Sequence, residues 1–257
     1  MAALPVVRAT RYVDPLREGG SMPGLMEADD DGTYVVKYRG AGQGPKALVA
    51  EVVAGELGRA LGLPVPEAVL IEVAEDFGRL EIDYEVGHLL RTSVGLNYGL
   101  DYLPGSITWD PLVPPPPDPA FAASVVWFDA FMTNPDRTAR NTNLLEWHGR
   151  TWLIDHGAAL YFHHDWDDPL VRATDPFSRV RQHVLLPFAD DLAEADVRAH
   201  ERLSREVFEA VLASVPDAWL AEHYAGDTVT VVRERYLAYL EARLAASSVF
   251  LAEAANG

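Results

Sequence analysis

The spacing of hydrophobic residues divides the first third of the chain into strands and one helix. Strands are predicted where β-branched and other apolar residues concentrate, at residues 6–13, 25–28, 33–38 and 69–73. Asp-Asp-Asp-Gly at residues 29–32 is typical of a hairpin turn, because Asp-Gly tolerates positive φ. Between residues 46 and 61 the apolar residues recur every three or four positions, which predicts an amphipathic helix.

The pattern is looser in the middle of the chain and mostly helical after it. Residues 82–90 favour a short helix, residues 94–103 a strand-like connector, and the proline-rich stretch 111–119 a surface loop. A tight β-hairpin is predicted from residues 143–147 and 151–154. Further helices are predicted at residues 121–131, 190–215, 217–223 and 229–255.

Together these elements predict an α+β fold in one domain of two lobes. A β-rich lobe with one main helix spans about residues 1–105, and a proline-rich connector follows to about residue 119. A mostly helical lobe takes about residues 120–257 and carries a polar loop at residues 133–142.

Composition and charge exclude several classes of function. The 257 residues include 21 basic and 39 acidic side chains, which gives a formal net charge of −18. Affinity for nucleic acids and for anionic membranes comes largely from Lys and Arg, so neither is an expected partner. No cysteine is present, which excludes disulfides and thiolate chemistry. Residues 1–8 lack the layout of a signal peptide, and we expect a soluble cytoplasmic protein.

The polar loop after the helix at residues 121–131 holds the most informative side chains. Asp136 precedes Asn141 by five residues, and Asp155 follows Asn141 by fourteen, beyond the predicted hairpin. Phosphoryl transfer uses one carboxylate near the attacking hydroxyl, and a second carboxylate with an amide oxygen around Mg²⁺. The spacing therefore favours Asp136 as the group that orients and deprotonates the hydroxyl, and Asn141 with Asp155 as metal ligands.

Lysine is rare in this sequence, which draws attention to Lys37. Of the 21 basic residues only Lys37 and Lys46 are lysines, and the other 19 are arginines. Lys37 lies in the predicted strand 33–38, and its compact ammonium is not interchangeable with a guanidinium. Lys46 is interpreted as a surface charge at the start of a helix.

Asp-x-x-x-x-Asn followed by Ile-Asp-x-Gly resembles the catalytic loop and the metal-binding motif of the protein-kinase-like superfamily, above all bacterial HipA-like kinases. The likeness covers most of the chain and implies ATP and Mg²⁺ as cofactors. It implies that Lys37 binds the α/β-phosphates and that Gly20 and Ser21 belong to the phosphate-covering loop. Glu51 and Glu56 lie on the same helix as possible partners of Lys37, and the family pattern favours Glu51.

The chain departs from the family pattern at two places. Residues 19–24 do not spell G-x-G-x-x-G, and His156 stands where an aromatic residue usually follows the metal-binding aspartate. We expect His156 either to pack like that aromatic residue or to titrate. Arg137 or Arg140 is expected either to neutralise charge on the transferred group or to form a salt bridge within the loop.

The histidine pair at His163 and His164 precedes aspartates at positions 165, 167 and 168. Adjacent side chains on an extended chain point to opposite sides, so the pair is unsuited to chelating one metal ion. We interpret this stretch as a solvated loop.

The sequence thus predicts ATP- and Mg²⁺-dependent transfer of a γ-phosphoryl group to a hydroxyl, with Ser or Thr of a protein as the preferred acceptor. Two other classes stay open: a small-molecule kinase or nucleotidyl transferase on the same fold, and a nucleotide-binding module without turnover. A toxin role is not implied, because a net charge of −18 disfavours assembly on DNA. The oligomeric state is not predicted.

Overall fold

Five strands from the first part of the chain close into a barrel in the order β1-β2-β3-β5-β4. They are β1 (Val6–Pro15), β2 (Gly24–Ala28), β3 (Thr33–Lys37), β4 (Ala68–Val73) and β5 (Gly95–Asp101). The computed structural model describes residues 3–16, 22–42, 44–78, 83–164, 169–223 and 226–256. Strands β1 and β4 pair in parallel and the other neighbours are antiparallel. The four strands predicted in the first third of the chain are confirmed.

The rest of the described chain is mostly helical. Its helices are α1 (Gly44–Ala60), α2 (Tyr84–Thr92), α3 (Pro119–Phe131), α4 (Pro169–Ala173), α5 (Leu192–Arg202), α6 (Arg205–Ala213), α7 (Asp217–His223), α8 (Val229–Ala245) and α9 (Ser247–Ala255). A small sheet has the order β6 (Ile107–Thr108), β7 (Leu144–Trp147) and β8 (Arg150–Leu153). In the described parts of the chain, no helix combines the length and the apolar character that crossing a bilayer requires.

The stretch 94–103, predicted as a connector, contains the barrel strand β5. It lies between β3 and β4 and pairs antiparallel with both. Gly99 sits where a Cβ atom would come within 2.8 Å of the Val69 side chain. Glycine weakens a strand pattern in the sequence, yet here it permits the close approach of β4 and β5.

Two of the predicted long helices are each broken in two. Residues 190–215 form α5 and α6, because Leu203 is extended and the Ser204 side chain caps α6 by accepting from the Val207 amide. Residues 229–255 form α8 and α9, with the break at Ala246. The aromatic residues of α3 are buried, as the sequence predicts: Trp127, Phe128 and Phe131.

Helix α1 is the predicted amphipathic helix, but it is buried on every side from residue 48 to residue 58. It packs against β5 on one side and against α6 and α7 on the other. A carboxylate inside such a helix needs a cationic partner to offset its desolvation. Glu51 and Glu56 are the two buried carboxylates of α1, and both have one.

Candidate active site

The β7–β8 hairpin brings the loop that follows α3 close to Asp155, which lies two residues past the end of β8. The Ile154 amide donates to the Asn143 carbonyl (3.1 Å), one step beyond the last pair of the ladder. Asp155 therefore lies next to the loop that carries Asp136. Asn143 and Asp155 have φ of 49° and 57°, which is uncommon outside glycine. Such backbone persists only where its surroundings enforce it, and it concentrates at active sites.

The Asp136 carboxylate is held from one side by two amides. Its Oδ2 accepts hydrogen bonds from Nδ2 of Asn141 (2.9 Å) and from Nδ2 of Asn143 (3.3 Å). The Asp136 backbone N–H donates to Oδ1 of Asn134 (3.2 Å). The residue is half-buried, and its second oxygen has no hydrogen-bond partner within the described chain. One oxygen is thus fixed and the other is open to a bound molecule.

Beneath this loop lies Asp129, a fully buried carboxylate that sequence reasoning missed. Its Oδ2 accepts from Nε of Arg137 (2.5 Å) and from Nε2 of His183 (2.9 Å), and its Oδ1 accepts from Nδ2 of Asn134 (3.1 Å). Nδ1 of His183 accepts from the Leu185 amide (3.1 Å), so the proton of a neutral ring is on Nε2. Burial raises the pKa of Asp129, but Arg137 and His183 outweigh it and hold that pKa well below its ordinary value.

Arg137 joins this buried carboxylate to the two segments of the site. Its guanidinium donates to the carbonyls of Asn143 and Ile154 as well as to Asp129. It is fully buried and pairs with Asp129, so of the two expectations for Arg137 the structure supports a salt bridge, with a partner on α3 and not within the loop. The available signal was Asp129 itself, the one charged residue in the mostly apolar stretch 121–131.

The Lys37 ammonium lies between two carboxylates from distant parts of the chain. It donates to Oε1 of Glu51 on α1 and to Oδ1 of Asp155 (2.5 Å). The Glu51 side chain is 1% exposed and that of Asp155 41% exposed. Glu56 instead pairs with Arg59, so the structure joins Lys37 to the helix glutamate that the family pattern favours.

The charges of this trio stabilise one another. Burial lowers the pKa of Lys37, but the two carboxylates outweigh it and leave that pKa above its ordinary value. The pKa of Asp155 lies below its ordinary value, because the Lys37 ammonium outweighs the effect of burial. Burial raises the pKa of Glu51 despite the opposing effect of Lys37. One ammonium therefore pairs with two carboxylates, and the more exposed of them, Asp155, is the one that can exchange its partner.

The residues of this arrangement lie in a part of the chain that matches a known protein family. A model of the HipA-like kinase family matches residues 10–246, which include both segments of the site, Lys37 and α1. The chain belongs to the HipA-like kinase family. Membership identifies it as a kinase, that is, a phosphotransferase.

The solved structures also include a protein similar to this HipA-like kinase. The crystal structure of a Helicobacter pylori proinflammatory kinase, CtkA, aligns with this chain over 98% of each of the two chains, with a TM-score of 0.57. The two sequences are 12% identical, so the likeness concerns the fold. No curated protein matches the sequence.

The oxygen atoms beside Asp136 fit a magnesium ion of the kind that kinases use. Asn141 is exposed and turns Nδ2 toward Asp136, which leaves its amide oxygen without a hydrogen-bond partner in the described structure. Asp155 keeps part of its carboxylate exposed. Both oxygens are of the hard type that Mg²⁺ prefers. Within the residues described, no three His, Asp or Glu side chains cluster as a metal site.

Other residues that the sequence analysis singled out are either not described by the structure or lie in surroundings different from those predicted. Gly20 and Ser21 lie outside the described residues. Arg140 is exposed and has no ion pair within the described part of the chain. The solvated-loop interpretation is wrong for His163, which is fully buried because it packs on α8, whereas His164 is exposed. Lys46 is not a free surface charge, since it donates to the His163 carbonyl.

His156 of this HipA-like kinase is buried and neutral. Its ring meets Phe128 edge-on with centroids 6.0 Å apart, and its backbone N–H donates to Oε2 of Glu51 (3.1 Å). Burial, and after it the Arg137 charge, lower the pKa of His156 to about 3. The 3.9 Å approach of its Nδ1 to Glu51 is therefore not an ion pair near neutral pH. Of the two expectations, the structure supports packing like an aromatic residue.

We expect His156→Phe to lose less stability than the wild type when the pH is lowered from 7.5 to 5. The folded protein keeps His156 neutral down to about pH 3, whereas the unfolded chain protonates it near pH 6.5. Stability is therefore lost as the pH falls below about 6.5, by about 2 kcal/mol at pH 5. Urea unfolding at pH 7.5 and pH 5 measures the loss, which should be smaller in the variant by that amount. An equal loss in both proteins would show that His156 titrates normally.

Proposed function

We propose that this HipA-like kinase transfers the γ-phosphoryl group of ATP, with Mg²⁺, to the hydroxyl of a protein Ser or Thr. The observation that carries the proposal is the contact of Lys37 with both Glu51 and Asp155, next to a loop that presents Asp136 with one open oxygen. Phosphate oxygens can replace a carboxylate as the partner of an ammonium, because both are anionic acceptors.

In this proposal Asp136 acts on the acceptor hydroxyl. A hydroxyl placed at Oδ1 is oriented toward the γ-phosphorus, and its oxygen bonds to phosphorus as the bond to the β,γ-bridging oxygen breaks. ADP leaves, and the hydroxyl proton passes to Asp136 late in the step. The amides of Asn141 and Asn143 hold Oδ2, so the carboxylate keeps one orientation throughout.

The remaining residues hold the nucleotide. Lys37 would bind the α/β-phosphates while Glu51, buried and fixed by the His156 amide, keeps the ammonium in place. Asn141 and Asp155 would supply the oxygens for Mg²⁺, which when bound neutralises charge on the phosphate oxygens. Gly20 and Ser21 are assigned to the phosphate-covering loop on the family resemblance.

The proposal also assigns the lobes. The barrel with α1 corresponds to the lobe predicted at about residues 1–105, and the helices from α3 onward to the one predicted after about residue 120. ATP would bind between them, where Lys37 of β3 meets Asp155 after β8. The cytoplasm, which supplies ATP, stays the expected compartment.

Labelled ATP distinguishes this function from its alternatives. The protein is incubated with Mg²⁺ and either γ-labelled or α-labelled ATP, alone, with a general protein acceptor or with a mixture of small alcohols, and the labelled products are identified. We expect γ-label on Ser or Thr. Incorporation of α-label would indicate nucleotidyl transfer, and γ-label confined to a small alcohol would indicate a small-molecule kinase. Thermal stabilisation by ATP without any transfer would indicate a silent binding module.

Lys37→Met should weaken nucleotide binding by roughly 10- to 100-fold, because a hydrogen bond to a charged group contributes about 1.5–3 kcal/mol. The measurement is the nucleotide concentration that half-saturates the thermal shift. Arg59→Met is the matched control, since Arg59 pairs with the other buried glutamate of α1. It should lower stability without changing nucleotide affinity. If both variants bound nucleotide like the wild type, Lys37 would not contact phosphates.

A further inference from the structure

Helix α1 is tied to the segment after Asp155 at two separate places. Glu51 accepts from the His156 amide (3.1 Å), which belongs to the site already described. Five residues earlier on the helix, the Lys46 ammonium donates to the His163 carbonyl (2.7 Å). The two lysines of the chain therefore both join the barrel side of the molecule to the segment that begins at Asp155.

The carbonyl that Lys46 reaches belongs to a firmly packed turn. His163 is fully buried, and its Nδ1 lies 2.9 Å from the Tyr236 hydroxyl on α8. The neighbouring Phe162 ring stacks on Tyr239 with centroids 3.7 Å apart. The Leu160 amide donates to the Met132 carbonyl (2.7 Å), just before the catalytic loop. Lys46 thus connects α1 to the helical part of the protein and not to a loose loop.

Two contacts on one helix constrain it more than one contact does. Lys46 and Glu51 are separated by about 7.5 Å along the axis of α1, since each residue rises about 1.5 Å. The packing of α1 against β5, α6 and α7 holds the buried stretch 48–58, and Lys46 adds a contact before that stretch, near the first turn of the helix. If Lys37 turns from Asp155 to phosphates, one link across the site is lost and the Lys46 link remains.

We propose that Lys46 is a positioning residue that holds α1, and with it Glu51, in register with the catalytic loop when nucleotide binds. The proposal rests on the proposed function only in the exchange of Lys37 from Asp155 to phosphate. Lys46 is not among the residues assigned to the nucleotide or to the acceptor, and in this proposal it acts through Glu51 and Lys37.

The test compares Lys46→Met with Arg202→Met, a matched control. Arg202 also donates to a backbone carbonyl, that of Leu61 just past the other end of α1. In the absence of nucleotide, Lys46→Met should speed hydrogen exchange of the hydrogen-bonded amides of Leu160 and His163 by about tenfold, and Arg202→Met should not. Lys46→Met should also lower kcat/KM for ATP by about tenfold, mainly through KM, and Lys46→Arg should restore both values.

The outcomes separate this proposal from the proposed function. Lys46→Met that matches Arg202→Met in both measurements overturns the positioning role, and so does a Lys46→Arg variant as impaired as Lys46→Met. If Lys46→Met does not fold, Lys46→Gln, whose amide is too short to reach, takes its place with the same expectations. A wild type that transfers no phosphoryl group overturns the proposed function, yet the exchange comparison still decides the role of Lys46.

Discussion

Asp136→Asn is expected to slow phosphoryl transfer by about a thousandfold, within the range that a positioned general base contributes. The amide keeps one oxygen to accept from Asn141 and Asn143, so the loop should keep its shape. It cannot take up the acceptor proton, because an amide is not basic. Single-turnover transfer of γ-label measures the rate, and the thermal shift with Mg²⁺-nucleotide measures binding, which should stay near the wild-type value.

Asp118→Asn is the matched control for Asp136→Asn. Asp118 caps α3 by accepting from the Phe121 amide, and asparagine is an equally good cap. This variant should transfer phosphate like the wild type. If Asp136→Asn did so too, Asp136 would not act on the hydroxyl, and if it lost nucleotide binding instead, its role would be in holding the nucleotide.

Asp129→Ala is expected to destabilise the protein by about 3–5 kcal/mol, because it leaves the buried guanidinium of Arg137 without its carboxylate. Urea unfolding at pH 7 measures this loss. Asp196→Ala is a matched control that removes another carboxylate contact to α3, that with Nε1 of Trp127, and should cost only about 1 kcal/mol. Equal losses in the two variants would contradict a special role for the buried charge pair.

A double variant separates stability from positioning at Asp129. Replacing both partners, Asp129→Leu with Arg137→Met, should recover much of the lost stability, since no buried charge is then left unpaired. Phosphoryl transfer should stay low, because the carbonyls of Asn143 and Ile154 lose the guanidinium that joins them. Recovery of full activity would show that this contact does not position the site.

The lowered pKa of Asp129 also determines how the stability of the folded protein changes at acid pH. Its pKa is lower in the folded than in the unfolded protein, so it adds stability above the unfolded value of about 3.9. That contribution is lost as the pH falls through the folded value. Acid unfolding of Asp129→Asn should therefore be less steep than that of the wild type.

The sequence predicted the parts of the site that are close together in the chain. Asp136, Asn141 and Asp155 were predicted as site residues because their spacing around a hairpin is local information, and the structure places Asp136 beside Asn141 and next to the segment that leads to Asp155. Lys37 was predicted from the family resemblance, with the rarity of lysine as support, and the structure pairs it with Glu51. Asp129 was missed although Arg137 lies only eight residues away, because no local pattern predicts that both are buried or that His183, 54 residues away, is a further partner.

The sequence also did not predict which individual polar residues make buried contacts. His163 precedes His164 and three aspartates, and Lys46 stands at the start of a predicted helix, so a solvated position was predicted for both. Their exposure is decided by Tyr236 on α8 and by the packing of α1, which are tertiary contacts. Closure of the barrel likewise depends on the pairing of β1 with β4, two strands far apart in sequence.

A crystal structure with Mg²⁺ and a non-hydrolysable ATP analogue would show directly which residues hold the nucleotide. We expect Nζ of Lys37 on the α/β-phosphates and no longer on Asp155, with Glu51 still its partner. We also expect Mg²⁺ at about 2.1 Å from oxygens of Asn141 and Asp155, with the γ-phosphate facing Asp136. A nucleotide bound elsewhere, or a metal ion that contacts neither of these two residues, would contradict these expectations.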